Sequence, residues 1–408
     1  MTDSLAPRPR WLAIVGIGED GLDGLSPAAQ ALIAQAGLVV GGARHLALAA
    51  PLAARALQWP SRIEAAIPHI AEQRGRPTCV LASGDPFFYG VGALLMRHFP
   101  ADEMVCHPAP SAFSLAAARL GWSLQDCVCV SLHGRALEAV FPHLQPGARL
   151  LALAWDGATA ARLAARLTAR GMGGSKLTIC EAMGGPDERL RTALARDPAF
   201  DDIADLNTLA LEVVAGQGAK IIPRAAGLPD EWFEHDGQLT KREVRAMTLA
   251  ALAPRRGQLL WDIGAGSGSV AIEWMLCDPA NRAIAIEAKA ERAARIVRNA
   301  LHLGTPGLAI VEGRAPRCLD GLPRPDAIFV GGGASAPDLI DRALGALGAG
   351  GRLVVNAVTL EGQAALSARF SAHGGDLTQI QIARADPVGR FHGWRAAMPV
   401  VQWRMEKA

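Results

Sequence analysis

The residues best suited to chemistry lie in the run Leu259-Leu260-Trp261-Asp262-Ile263-Gly264-Ala265-Gly266-Ser267-Gly268-Ser269-Val270. Apolar residues lead into an acid, glycines then fall at alternate positions, and Val270–Met275 can continue as a helix. Glycine lets a backbone turn that sharply while a ligand lies against it. About twenty residues on, Arg282–Glu287 reads as a second strand ending in an acid, placed to take the two hydroxyls of a ribose. The pattern predicts a site for an adenosine-type cofactor.

The glycine spacing discriminates between cofactors. A dinucleotide fold wants Gly-x-Gly-x-x-Gly, with its third glycine at position 269. Ser269 stands there, and Gly268 gives Gly-x-Gly-x-Gly instead. This spacing after an aspartate resembles the first motif of class I S-adenosylmethionine methyltransferases. A nicotinamide enzyme is the alternative, and a ligand-free tight turn would leave the acid at Glu287 a coincidence.

The acceptor is constrained by a later strand, Ala327–Val330, which ends in Gly331-Gly332-Gly333. Methylases of base amines carry an Asn/Asp-Pro-Pro-aromatic cluster at that place, and cytosine C-methylases a Pro-Cys nucleophile. This chain has neither. Three glycines offer backbone and space but no activating side chain. The expected substrate is therefore large and already nucleophilic, with catalysis mainly a matter of positioning.

The elements that must hold these residues follow from the rest of the chain. Its 408 residues exceed one ordinary core, and two or three domains are expected. Half the residues are hydrophobic and a fifth charged, a folded composition, and the net charge of +2 gives no reason to expect nucleic acid or a membrane surface as partner. Seven cysteines without a CxxC pair suggest a reducing compartment, and Cys127 and Cys129 sit at strand spacing, which favours core over metal. Trp11–Ile17 is too short and glycine-broken for a signal segment, and no apolar run approaches the roughly 18 residues of a membrane span. The expectation is a cytoplasmic globular protein without a bound metal.

Strands are expected at Trp11–Val15, Leu38–Gly42 and Thr78–Ala82, the last running into Ser83–Gly90. Ser26 and Pro27 open a helix whose apolar positions are Ala29, Leu32, Ile33 and Ala36. From Ser111 the texture changes to a small-residue helix, then strands at Cys127–Ser131, Leu150–Ala154, Leu177–Cys180 and Leu209–Val214, a second α/β lobe. Ala215–Pro229 reads as the major linker. Beyond it, Thr240 and Glu243 suggest a capping box for a helix over Lys241–Leu252. Strands Leu259–Ile263, Ala283–Glu287, Leu308–Glu312, Ala327–Val330 and Arg352–Asn356 alternate with helices, among them Lys289–Leu301 with Ala293, Ile296, Val297 and Ala300 on one face. That alternation predicts a doubly wound sheet.

Longer motifs carry a resemblance. His235-Asp236-Gly237-Gln238-Leu239-Thr240-Lys241-Arg242-Glu243-Val244-Arg245, Asp262–Val270, Gly331–Gly333 and Asn356-Ala357-Val358-Thr359 resemble the precorrin-6B C-15 methyltransferase (decarboxylating) family of corrin biosynthesis. Val15-Gly16-Ile17-Gly18, Gly41-Gly42-Ala43-Arg44-His45, Ser83–Gly90, Pro108–Ser114 and Ser131-Leu132-His133-Gly134-Arg135 resemble the tetrapyrrole C-methylases, in particular the corrin C-5 methylase. The fused order is similar to the precorrin-6B (C-5, C-15)-methyltransferase (decarboxylating) family. The resemblance implies an α/β fold in which residues 1–222 form a two-lobed tetrapyrrole-methylase domain, with lobes of about 1–110 and 111–214. Residues 223–408 would form a Rossmann-like class I methyltransferase and decarboxylase domain.

It also implies two S-adenosylmethionine sites of unlike architecture. Gly84, Asp85 and Phe88 would line the first, Ser111 and Ala112 would close it, and Gly16-Ile17-Gly18 would face the tetrapyrrole. For Phe87, Phe88 and Tyr89, plain core packing is an equal reading. In the second site Asp262, Gly264, Gly266, Gly268 and Ser269 would pass under the cofactor and Glu287 would hold its ribose. Gly313, Arg314 and Ala315 would meet the adenine, with Gly331 and Gly332 beside them. Relatives carry an aspartate where this chain has Arg314, so backbone would make the adenine contact here. A precorrin-6B substrate bearing many carboxylates would call on Lys241, Arg242 and Arg390, each otherwise a solvated charge, with His235 and His392 as proton carriers. A homo-oligomer is implied, with neither nucleic acid nor membrane as partner. A base-modifying methylase and a non-catalytic scaffold are opposed by the neutral charge, the triple glycine and the intact glycine loops.

Overall fold

Leu12–Ile17 is apolar or glycine at every position and forms β1, buried along its whole length. The computed structural model describes residues 10–52, 55–336 and 338–408. The chain divides into two compact units, one of Met1–Arg135 with Gln145–Lys220, the other of Ala136–Leu144 with Ile221–Ala408.

In the first unit β1 is followed by α1 (Pro27–Ala34), β2 (Leu38–Gly41), α2 (Ala43–Ala49), β3 (Ala56–Gln58), α3 (Ile67–Ala71), β4 (Thr78–Ser83), α4 (Gly92–Leu95) and β5 (Met104–His107). The strands form a parallel sheet in the order β3-β2-β4-β1-β5. Ser26 caps α1, its Oγ accepting the Ala29 amide at 3.2 Å, with Pro27 in the first turn as expected. Ala36 is buried but lies beyond the helix end.

The second sheet of this unit begins after α5 (Ala112–Leu120) and comprises β6 (Cys127–Ser131), β7 (Arg149–Leu153), β8 (Lys176–Glu181), β9 (Arg189–Leu194) and β10 (Asn207–Glu212), with α6 (Thr159–Ala169) between β7 and β8. Its order is β6-β7-β10-β8-β9, parallel only between β6 and β7. Phe113 and Ala116 of α5 pack on Leu151 and Ala210 of that sheet.

The second unit runs α7 (Arg242–Leu252), β11 (Leu259–Ile263), α8 (Ser269–Cys277), β12 (Arg282–Glu287), α9 (Ala290–His302), β13 (Ala309–Glu312), β14 (Ala327–Val330), α10 (Leu339–Ala346), β15 (Arg352–Ala357), α11 (Leu360–His373), β16 (Asp376–Ile380), β17 (Ala383–Val388), β18 (Phe391–Ala396) and β19 (Val400–Glu406). The seven-stranded order is β13-β12-β11-β14-β15-β19-β16, with β19 antiparallel to both neighbours. β17 and β18 form a separate hairpin. The order reverses beside β11, so the carboxyl ends of β11, β12 and β14 make the crevice in which such sheets bind ligands.

Two local expectations fail for physical reasons. The capping box does not form: Lys241, not Thr240, is the N-cap of α7 and has no side-chain cap, which leaves Glu243 at the second helical position instead of the third that a box needs. Glu243 turns to Arg384 while the buried Arg245 takes the Thr240 carbonyl at 2.5 Å. On α9 the buried face is Ala293, Ile296, Asn299 and Ala300, while Val297 is exposed. A single step of about 100° from Ile296 carries Val297 off the packed face.

Candidate functional site

The loop after β11 needs its glycines. Gly264, Gly266 and Gly268 have φ of +73°, +61° and +77°, a region that costs other residues strain. A Cβ on Gly268 would also sit 2.7 Å from Ile296 Cγ2 of α9. The Gly264 and Ala265 amides donate to the Ile286 carbonyl at 2.9 and 3.1 Å, which fixes the loop on the end of β12. Ser269 is buried and starts α8 from Gly268 as N-cap, so the amino end of that helix opens on the loop.

Glu287, nearly fully buried, accepts the Gly266 amide on Oε2 at 2.9 Å and the Lys289 amide on Oε1 at 3.0 Å. Asp262 is 1% exposed; its Oδ2 accepts the Ala271 amide at 3.0 Å, and its Oδ1 is buried without a hydrogen-bond partner. Burial pushes this carboxyl up to about 7, the Glu287 charge adding to the shift and the Ala271 amide opposing it. A buried orphan oxygen and a turn with glycine at every second position fit a polar, cationic ligand such as S-adenosylmethionine.

Three clamps hold this edge that local sequence patterns did not signal. Asn299 Nδ2 donates to the carbonyls of Ser267 and Glu234 at 2.9 and 3.0 Å, and its Oδ1 accepts the Glu234 amide at 2.8 Å. Arg292 and Arg295 reach Asp236 at 2.8 and 3.2 Å, and these bonds, led by that from Arg292, hold its carboxyl well below the usual range. The fully buried Arg245 meets Glu273 Oε1 at 2.5 Å, while Glu273 accepts the amides of Gly227 and Leu228 at 2.6 and 2.9 Å. Phe233 lies under the same guanidinium, 4.7 Å from its centroid. A buried pair satisfied this fully fixes the 227–240 segment on α7 and α8.

Gly313 donates to the Glu287 carbonyl at 2.9 Å, which sets the turn Gly313-Arg314-Ala315 beside Glu287, with the Arg314 side chain in solvent. Gly331 donates to the Ile263 carbonyl at 3.0 Å, and a Cβ on Gly264 would lie 3.5 Å from the Gly332 amide. Gly331 and Gly332 are exposed, and nothing lies within 4 Å of a Cβ placed on Gly332. His235, Lys241 and Arg242 share the exposed approach to α7; the His235 Nδ1 accepts the Gly237 amide at 3.0 Å. Arg390 and His392 lie on the β17–β18 hairpin, which Arg384 ties to Glu243 of α7, and Arg390 lies over Phe391.

The first unit has its own edge at the carboxyl ends of β1 and β4. Gly84 has φ +53°, and a Cβ there would meet the Pro110 carbonyl at 2.8 Å and Ser111 Cα at 2.9 Å. The Gly84 amide donates to Ile17 at 3.2 Å and its carbonyl accepts the Ala109 amide at 3.1 Å. Asp85 accepts the Phe87 amide at 2.8 Å, closing the turn. Ser111 caps α5 through the Ser114 amide at 3.1 Å and Ala112 is half-buried behind it. Phe88 packs 4.8 Å from Phe113, whereas Phe87 and Tyr89 are exposed. Among the described residues, no group of three or more His, Cys, Asp and Glu side chains gathers as a metal site.

Two α/β units each carry a glycine-turned sheet edge, and both match methyltransferase families. Residues 12–199 match the tetrapyrrole (corrin/porphyrin) methylases and residues 231–407 the precorrin methyltransferase domain. The chain is 55% identical over 398 residues to the precorrin-6Y C(5,15)-methyltransferase [decarboxylating] of Sinorhizobium sp, covering 97% of this chain and 96% of that one. Two shorter relatives match less than half of it. A probable cobalt-precorrin-6B C(15)-methyltransferase (decarboxylating) of Pyrobaculum calidifontis is 37% identical over 43% of this chain and 92% of its own. A cobalt-precorrin-7 C(5)-methyltransferase of Salmonella typhimurium is 34% identical over 44% of this chain and 88% of its own. The chain belongs to the precorrin-6Y C(5,15)-methyltransferase (decarboxylating) family, whose membership implies S-adenosylmethionine as methyl donor.

Proposed function

We propose that this chain methylates precorrin-6B (precorrin-6Y) at C-5 and C-15 and removes the carboxyl of the ring C acetate, giving precorrin-8. Residues 1–222 carry the C-5 methylation in this reading, and residues 223–408 carry the C-15 methylation with the decarboxylation. What supports it most is that one chain, aligned end to end with a C(5,15)-methyltransferase, carries two unlike glycine-turned edges, at Gly84 and at Gly264–Gly268.

S-adenosylmethionine, when bound, supplies an electrophilic methyl group on sulfur. The chain's own residues bind and orient. Gly264, Gly266 and Gly268 leave backbone surface bare, and Glu287, whose oxygens each accept one amide, keeps lone pairs for ribose hydroxyls. Gly313, Arg314 and Ala315 offer backbone to the adenine. Gly331 and Gly332 leave room for a large planar acceptor. The meso carbons of a reduced tetrapyrrole are enamine-like and attack without a protein nucleophile, so the rate comes from alignment. Loss of carbon dioxide needs a neighbouring ring, protonated as an iminium, to accept the electrons. Lys241, Arg242 and Arg390 hold substrate carboxylates, and His235 and His392 carry protons. A cytoplasmic homo-oligomer belongs to the same reading, and among the described residues no helix is long and apolar enough to cross a membrane.

Calorimetric titration of the whole chain with S-adenosylmethionine tests the two-centre reading. Two equivalents per chain are expected. One or none contradicts it.

A further inference from the structure

The first unit holds a polar cluster to which the reading above gives no role. It comprises Glu19, just after β1, Arg44 and His45 at the start of α2, and Ser83 at the end of β4. Because β2, β4 and β1 are adjacent and parallel, their carboxyl ends bring the four residues to one edge. Arg44 pairs with the Glu19 carboxylate and donates through Nη2 to Ser83 Oγ at 3.0 Å. The same Nη2 faces His45 Nε2 at 3.0 Å, and Nε2 lies 2.8 Å from Ser83 Oγ.

The proton positions follow. A guanidinium only donates, so the imidazole nitrogen facing it is a bare lone pair, and the neutral ring carries its proton on Nδ1. Nδ1 is itself buried without a hydrogen-bond partner. The Ser83 hydroxyl therefore donates to His45 and accepts from Arg44. Burial, reinforced by the Arg44 charge, brings His45 down to about 4, which keeps the ring neutral at working pH. Ser83 itself is exposed, one residue before Gly84.

We infer that Ser83 and His45 form the proton outlet for methylation at this site, an inference that rests on reading the first unit as a C-methylase. The overall reaction needs such an outlet. The ring carbon bonds to the methyl group while the carbon–sulfur bond breaks and its electrons leave on sulfur as a thioether. The ring, now an iminium, must lose one proton to become neutral. That proton passes to Ser83 Oγ as the hydroxyl proton passes to His45 Nε2, and the imidazolium, disfavoured beside Arg44, releases it to water. Ser83 would be the catalytic residue. His45 acts through it, and Arg44, tied to Glu19, positions both.

The test uses the whole chain, a precorrin-6B substrate and S-adenosylmethionine, with Ser83→Ala and His45→Gln. Cofactor Kd by calorimetry should stay within about twofold of wild type and KM should hold, while the C-5 methylation kcat falls about a hundredfold in both variants. Nitrogen-15 shifts of His45 in the ligand-free protein should report a proton on Nδ1 and a bare Nε2. Variants with kcat within threefold of wild type overturn the inference, as does a proton on Nε2. Loss of rate explained by lost cofactor binding assigns the cluster a structural role and overturns it too. A wild-type chain that binds cofactor in the first unit yet leaves C-5 unmethylated overturns the parent reading and the outlet with it.

Discussion

Glu287, at the end of β12, turns its carboxylate onto the glycine loop after β11, with Oε2 accepting the Gly266 amide at 2.9 Å. The acid that sequence logic assigns to a ribose is thus also the peg that sets the glycine turn before any ligand arrives. Such preorganisation cuts the ordering cost of binding.

Glu287→Ala should therefore do two things at once. It strands a buried amide, worth about 1–3 kcal/mol of stability. It should also weaken cofactor binding at this site at least tenfold, so that calorimetry on the whole chain falls from two equivalents to one. Carbon dioxide release should fall in step while C-5 methylation continues. Two full-affinity sites in the variant would refute the assignment.

Gly268→Ala places a methyl 2.7 Å from Ile296 Cγ2 at φ +77°. The steric and conformational penalties together should cost roughly 2–4 kcal/mol. Ile296 is fully buried, so Ile296→Ala opens a cavity of its own, and the comparison is a double-mutant cycle. In the Ile296→Ala background Gly268→Ala should cost less, by the steric part alone, because the backbone angle remains. A cost of zero in that background by thermal melt would show that strain at this position is negligible.

The carboxyl of Asp262 titrates near 7 against an ordinary 3.8, so the folded chain keeps a proton that the unfolded chain gives up. Its pKa is raised, so stability is highest below about pH 4, declines as pH rises towards 7 and is level above, by up to about 4 kcal/mol. Asp262→Asn, without a charge to desolvate, should flatten that part of the profile. Urea unfolding of both proteins between pH 5 and 8 measures it, and parallel curves would remove Asp262 as the cause. S-adenosylmethionine should stabilise the wild type more at pH 8 than at pH 6, since a cation favours the ionised acid.

Sequence alone carried the site's backbone well. β11 and β14 end where apolar runs meet glycine, and Gly264, Gly266 and Gly268 announce their conformation by residue type. What it could not carry is pairing across distance. Arg245 and Glu273 look like ordinary helix charges, 28 positions apart, until α7 and α8 pack and bury both. Thr240 and Glu243 have the local signature of a cap, but the helix starts one residue later, from Lys241, and Arg384 draws Glu243 away. Asn299 reads as a polar break in an apolar helix face; its clamp on Glu234 and Ser267 appears only with the loop in place. The strands after Arg352 escaped notice for a related reason. Gln402 interrupts β19 and is tolerated because Asn356 and Thr248 satisfy its amide at 2.9 and 3.2 Å.

The place of β19 also bears on how the second unit is made. It follows every other strand of the unit in the chain yet lies inside the sheet, between β15 and β16, with Trp403 fully buried. As the chain leaves the ribosome, β11–β15 can pair early, but the edge of β15 stays open until Val400–Glu406 has cleared the exit tunnel. The first unit, whose strands are all complete by Glu212, is under no such delay. Nascent chains stalled before Val400 should therefore hold a finished first unit and a second one with an exposed, pairing-competent strand, the species most in need of a chaperone.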